Sequence, residues 1–127
     1  KNFCSRNSYA SWFTSLGQLR YFSCVQQVDC VIGNSSSGIL EAPYFYVPTV
    51  NIGDRQKGRI CSSSVINVKT ECESLIKAIK KGLDPLFRDN IRNQQLYYGN
   101  GETAQTIVDI LKRDIPVKLK KKFHDIL

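Results

Sequence analysis

The 127-residue sequence contains no methionine, one tryptophan and one histidine. Without methionine, Lys1 is not a translation start. The chain is therefore expected to be a processed product or a piece of a longer polypeptide, the second being favoured. No apolar run approaches the roughly 20 residues of a membrane-spanning helix, so no membrane partner is expected. The opening Lys1-Asn2-Phe3-Cys4-Ser5-Arg6-Asn7 has no apolar block followed by a cleavage site and does not read as a signal peptide. There is no C-x-x-C pair, and the single histidine, His124, lies in a basic tail. The cysteines at 4, 24, 30, 61 and 72 are accordingly expected to be free, buried thiols of a cytoplasmic protein, with no metal site.

What is present is an ordinary globular mixture, 42% hydrophobic and 23% charged, which argues against disorder. The length suits one domain spanning 1–127. The net charge is +7, with 6 basic and 3 acidic side chains in residues 1–63 and 12 and 8 in residues 64–127. Only Lys118-Leu119-Lys120-Lys121-Lys122 is densely basic. A nucleic-acid-binding module is one class this charge admits. The sequence has no aromatic RNP strand, zinc-finger spacing or basic heptad region, and a smaller anion such as a nucleotide phosphate fits the same charge.

Residues 1–14 show no clear period. A helix is predicted from Gln18 to about Gln27, with Leu19, Phe22, Val25 and Gln26 on one side together with Leu16. Strands are predicted at 29–33, 49–52 and 64–68. Residues 39–42 read as the first turn of a helix that ends in the Pro43 region or runs a little past it. Thr70-Glu71-Cys72-Glu73 reads as a capping box opening a helix whose stripe is Leu75, Ile76, Ile79 and Leu83, with Gly82 near its stop. Further helices are predicted at 85–96 and 103–111, with a turn at Asn100-Gly101 and a last basic helix from Val117. The alternation is that of an α/β fold with a parallel sheet and right-handed crossovers, thin enough to be part of a doubly wound domain.

Ligands of open α/β sheets bind beyond the carboxyl ends of the strands. Two loops lie there. Gly33-Asn34-Ser35-Ser36-Ser37-Gly38 places three serines directly before a helix start, where small residues, free amides and the helix dipole can hold a phosphate. It is not a G-x-S-x-G elbow, since residue 37 is Ser, and serine hydrolysis is rejected. Gly53-Asp54-Arg55-Gln56-Lys57-Gly58-Arg59 narrowly misses the P-loop pattern at Arg59 and Ile60, so ATPase chemistry is rejected. It remains a strand-end loop with three cations, of which Arg55 suits a bidentate grip on a diphosphate. Glu41, one turn beyond the serines, can accept from a ribose diol. Serines for phosphate and a carboxylate for ribose together describe a nucleotide, and a nucleotide-sugar is one candidate.

Two strings carry a family likeness: Val31-Ile32-Gly33-Asn34-Ser35-Ser36-Ser37-Gly38-Ile39-Leu40-Glu41-Ala42-Pro43 and Val50-Asn51-Ile52-Gly53-Asp54-Arg55-Gln56-Lys57-Gly58-Arg59. In residues and spacing they closely resemble the hydrolysing UDP-N-acetylglucosamine 2-epimerases of sialic acid biosynthesis. Tyr98-Gly99-Asn100-Gly101 and Lys121-Lys122-Phe123 resemble later elements of that family, so the likeness runs from about Ser15 to near the end.

The resemblance implies the C-terminal part of the second, Rossmann-like domain of a GT-B enzyme, probed by a UDP-sugar from a cleft shared with an N-terminal domain outside this chain. It implies Ser35 and Ser36 on the UDP diphosphate, Glu41 on the ribose, Arg55 in the UDP site and Leu16 beside the uracil. It implies elimination of UDP to a 2-acetamidoglucal, followed by addition of water to give N-acetylmannosamine. The family's acid/base groups match nothing in this chain, so no catalytic residue, cofactor or metal is assigned, and the chain alone is expected to be inactive. A homo-oligomer is expected. A GT-B glycosyltransferase using a UDP-sugar is the nearest rival.

Overall fold

A computed structural model of the chain describes residues 1–114. Strands β1 (Val31–Gly33), β2 (Thr49–Ile52) and β3 (Val65–Val68) form one sheet in the order β1-β2-β3. Both pairings are parallel, with Val31 opposite Thr49 and Thr49 opposite Val65. This is the expected α/β architecture, a short parallel sheet flanked by helices. The central strand falls on the predicted residues. The outer two begin later than predicted, β1 at Val31, whose N–H donates to the Pro48 carbonyl at 2.8 Å, and β3 at Val65.

Two helical layers cover the sheet. The turn α2 (Ser37–Leu40) brings Gly38 against Thr49, while α3 (Cys72–Leu83) brings Gly82 against Pro48 and Ile66. Successive strand side chains point to opposite faces, so these helices lie on opposite sides of the sheet. A small cluster of Val25, Ala42 and Val47, with Tyr21, Val31 and Phe45 packed on it, joins α1 (Gly17–Val25) to a 3-10 helix at Ala42–Phe45.

Several helical details differ from the sequence reading. On α1 the covered face is Tyr21, Phe22 and Val25, whereas Leu19 is 82% exposed. On α3 the buried residues are Ala78 and Gly82, and Ile76 and Leu83 face outward. Gly82, one residue before the helix ends as predicted, is also a packing contact: a Cβ there would lie 3.3 Å from Cys30 Sγ and 3.4 Å from Pro48 Cβ. The small side chains let the helix approach the sheet, which displaces the larger ones from the interface. Thr70 does not cap α3. The helix starts at Cys72, after Glu71 in extended backbone, and Ser74 Oγ donates to Glu71 Oε2 at 3.4 Å.

The helix predicted at 85–96 is shorter. It comprises α4 (Pro85–Asn90) and a 3-10 turn at Ile91–Asn93. Asp84 caps it, accepting from the Leu86 and Phe87 amides at 2.8 and 3.1 Å. Its end follows from Gln94, whose side chain accepts from the Ser64 N–H at 3.0 Å and donates to the Pro43 carbonyl at 2.9 Å.

Chain contacts divide the protein into two compact units, Lys1–Tyr97 and Tyr98–Leu127. All the elements above belong to the first. In the second, the Asn100 side chain accepts from the Glu102 N–H at 3.1 Å, and α5 runs Thr103–Arg113. The predicted basic helix from Val117, with His124, lies outside the described residues. Among the described residues, no helix is long and apolar enough to cross a membrane.

Candidate nucleotide-binding site

The first half of the site is a hollow of about 470 Å³ lined by Ser15, Leu16, Gly17, Gln18, Tyr21, Phe22 and Glu41. It forms because α1 begins at Gly17 with φ +68°, a left-handed conformation suited to glycine. That turn sets Leu16 and the ring of Phe22 to one side. Glu41 closes the other, held where α2 ends by its N–H bond to the Ser37 carbonyl at 2.9 Å. Sequence reading had singled out Leu16 and Glu41, 25 positions apart, and here they line one cavity. Tyr21 and Gln18 it missed. The signal for Tyr21 was present, since an aromatic one turn after Gly17 falls on the same helix side.

The second half is the serine loop. Tyr21 Oη and Ser37 Oγ share a hydrogen bond, which joins the hollow to this loop. Ser35 Oγ accepts from the Ser37 N–H at 3.3 Å, folding the loop over itself. Among the described residues, the Ser35 and Ser36 amides and the Ser36 hydroxyl have no acceptor. The helix after the serines is a single turn of four residues, too short for a macrodipole summed over aligned peptides. An anion here would be held by the individual donors.

The second loop meets the serine loop at one point, the Asn34 carbonyl. Gln56 Nε2 donates to it at 2.8 Å, and Arg55 Nη1 lies 3.5 Å from it. Of the three cations in the loop, only Arg55 makes this approach. Lys57 and Arg59 line a recess of about 250 Å³ with Asn51, Asn67, Cys61 and Gln56 itself. There Asn51 donates to Asn67 Oδ1 at 2.7 Å between register partners of β2 and β3. Gln56 lies within the motif, but no sequence signal assigns it a role. It is the buried member of an otherwise exposed stretch of polar side chains.

Taken together, Leu16 and Glu41 share the hollow, Ser35 and Ser36 lie beside it across the Tyr21–Ser37 bond, and Arg55 reaches back toward the serines. The hollow offers an aromatic and an aliphatic wall, one carboxylate, and a neighbouring set of free donors. That combination suits an apolar ring carrying hydroxyls and an anionic tail. The one carboxylate in the described lining is Glu41.

The five cysteines are unpaired, as expected, but none is fully buried: Cys24 and Cys72 are exposed. Cys30 sits under Gly82, and burial pushes its thiol up. The Val50 backbone and Arg88 oppose that shift, and Asp29 adds to it. No group of three or more His, Cys, Asp or Glu side chains fit to hold a metal occurs among the described residues.

Comparison with known proteins gives the following. The family model described as UDP-N-acetylglucosamine 2-epimerase matches residues 2–112. The match therefore begins well before Ser15, where the likeness read from the motifs had started. A GDP/UDP-N,N'-diacetylbacillosamine 2-epimerase (hydrolyzing) of Campylobacter jejuni is 42% identical over 91 residues, 71% of this chain and 23% of that protein. Polysialic acid biosynthesis protein P7 of Escherichia coli is 34% identical over 128 aligned positions, 99% of this chain and 32% of that protein. A UDP-N-acetylglucosamine 2-epimerase of Neisseria meningitidis is 39% identical over 51 residues, 40% of this chain and 14% of that protein. The chain thus spans between 23% and 32% of the length of the first two relatives.

Proposed function

The chain belongs to the UDP-N-acetylglucosamine 2-epimerase family, and we propose that it is the UDP-binding part of a hydrolysing 2-epimerase acting on a UDP-N-acetyl sugar. The observation that carries this reading is the continuity of the Leu16–Glu41 hollow with the serine loop through the Tyr21–Ser37 bond. In it, uracil lies against Leu16 and the α1 ring side chains, and Glu41 accepts from the ribose hydroxyls. The diphosphate lies on the Ser35 and Ser36 donors, with Arg55 swinging from the Asn34 carbonyl to a phosphate oxygen.

The role of these residues is to stabilise a leaving group. Cleavage of the sugar–phosphate bond builds negative charge on UDP, and donors already aimed at that charge lower the barrier. The proton transfers that eliminate UDP to a 2-acetamidoglucal, and add water on the other face, belong to groups outside this chain, in an N-terminal domain of a GT-B pair. No cofactor or metal enters. Formation of N-acetylmannosamine for sialic acid biosynthesis, a homo-oligomer and a cytoplasmic setting complete the proposal. The unpaired thiols suit a reducing compartment.

The test is product analysis by NMR of the purified longer polypeptide proposed to carry this chain, with UDP-N-acetylglucosamine and in parallel with UDP-N,N'-diacetylbacillosamine. The reading predicts free 2-epimeric sugar and UDP in equal amounts from one of them. Transfer of the sugar to an acceptor, giving a glycoside, would identify a glycosyltransferase instead. An isolated 127-residue chain is predicted to bind UDP and to release none from UDP-N-acetylglucosamine above the buffer blank.

A further inference from the structure

Gln56 is 5% exposed, although its neighbours Asp54, Arg55, Lys57, Gly58 and Arg59 all face solvent. Its amide spends one half on the Asn34 carbonyl, and the other half, Oε1, is buried with no partner among the described residues. A buried amide satisfied on one side only gives little to stability, because the unpaired acceptor offsets the bond that is made. Its placement therefore needs a reason other than holding the fold.

The Asn34–Ser35 peptide supplies one. A trans peptide is planar, and its C=O and N–H point in opposite directions. None of the described peptides is cis. Gripping the Asn34 carbonyl at 2.8 Å therefore fixes the Ser35 N–H on the opposite side, where it has no acceptor. Arg55 Nη1, at 3.5 Å, is a second and longer donor to the same carbonyl, and the Ser35 carbonyl accepts from the Gly38 N–H at 3.2 Å, so Gln56 supplies the shortest of these restraints. The chain enters it from Gly33 at φ +154°, backbone that glycine adopts and other residues rarely do, and Asn34 and Ser35 are both exposed. A donor on the carbonyl also polarises the peptide and strengthens its N–H as a donor.

We infer that Gln56 is a positioning residue, which orients the Asn34–Ser35 peptide so that the Ser35 N–H is presented to a ligand phosphate. The inference rests on the UDP reading above. It requires that the effect of Gln56 fall on the diphosphate and not on the nucleoside, because the nucleoside occupies the hollow on the far side of the Tyr21–Ser37 bond.

The experiment is an NMR titration of the purified protein with UDP and, separately, with uridine, alongside a thermal melt. Gln56→Met keeps the length of the side chain while removing both the donor and the orphan acceptor. Gln56→Glu keeps an acceptor and loses the donor, and stands in if the first variant does not fold. Gln94→Met is the control, a two-sided amide that bridges Ser64 and Pro43 away from the loop. Loss of one well-placed donor to a charged group is expected to weaken UDP binding of either Gln56 variant about tenfold. Uridine binding should stay within twofold of wild type. Gln94→Met should lower the melting temperature and leave the ratio of UDP to uridine affinity unchanged. Equal loss of both ligands, or no loss of UDP, in the Gln56 variants would overturn the inference while leaving the UDP reading intact. Failure of wild type to bind UDP at all would overturn both.

Discussion

Gly38 is where the fold and the candidate site constrain each other most tightly. It lies in α2, directly after the serines, and is fully packed against the central strand. A Cβ added there would lie 2.6 Å from Thr49 Cγ2. Carbon atoms rest about 3.5–4.0 Å apart, so one of the two must retreat by about 1 Å. Thr49 cannot easily do so, being 2% exposed, β-branched and held in the centre of the sheet by pairing on both sides. The strain therefore passes to α2 and the serine loop.

Overpacking of this kind costs about 1–3 kcal/mol. Alanine returns about 0.5–1 kcal/mol through its better helix propensity, leaving a net loss centred on about 1 kcal/mol for Gly38→Ala. Thr49→Ser removes the offending methyl, so the cost of Gly38→Ala should shrink to near zero in that background. Urea unfolding of wild type, both single variants and the double variant gives the coupling energy directly. UDP affinity should fall in Gly38→Ala and recover in the double variant. Purely additive unfolding energies, or a Gly38→Ala protein within about 0.5 kcal/mol of wild type, would refute this reasoning.

Three other outcomes are expected. Ser35→Ala combined with Ser36→Ala should weaken UDP binding by calorimetry, each hydroxyl bond to a charged group contributing about 1.5–3 kcal/mol before coupling; unchanged affinity would remove the serines from the site. Arg55→Lys keeps the charge but loses the planar fork, so UDP should bind more weakly at both low and high salt. A variant within twofold of wild type at both salts would make Arg55 a solvated cation. Iodoacetamide should label Cys24 and Cys72 before Cys30, because the thiolate is the reacting form and burial holds the Cys30 thiol protonated to higher pH. Raising the pH should speed labelling of Cys30, and equally early labelling of Cys30 under native conditions would contradict its placement beneath Gly82.

The legible parts of this sequence were those where a local pattern coincides with the tertiary demand. Thr49–Ile52 is short, rich in β-branched residues and bounded by Pro48 and Gly53, and it is the buried central strand. The serine loop was legible because a strand end followed by small residues has few alternatives. Helix faces were harder. Counting apolar residues put Leu19, Ile76 and Leu83 inward, whereas close approach of the backbone at Gly82 and the lodging of Tyr21 against Ser37 decide which face is covered. Thr70 met the capping pattern, yet the chain bends at Thr70 and the helix starts only after Glu71, whose backbone is extended. Gln56 was opaque for a related reason. Its partner is a main-chain carbonyl 22 residues away, and no side-chain pattern marks a carbonyl.

The most direct measurement is an amide-resolved NMR titration of the protein with UDP. The account predicts saturable shifts at Leu16, Gly17, Ser35, Ser36, Ser37, Glu41, Arg55 and Gln56, with the Ser35 and Ser36 amides moving most, since they acquire a charged acceptor they now lack. Shifts confined to the recess around Lys57, Arg59 and Asn67, or to Arg88 and Arg92 on α4 and the turn after it, would contradict it.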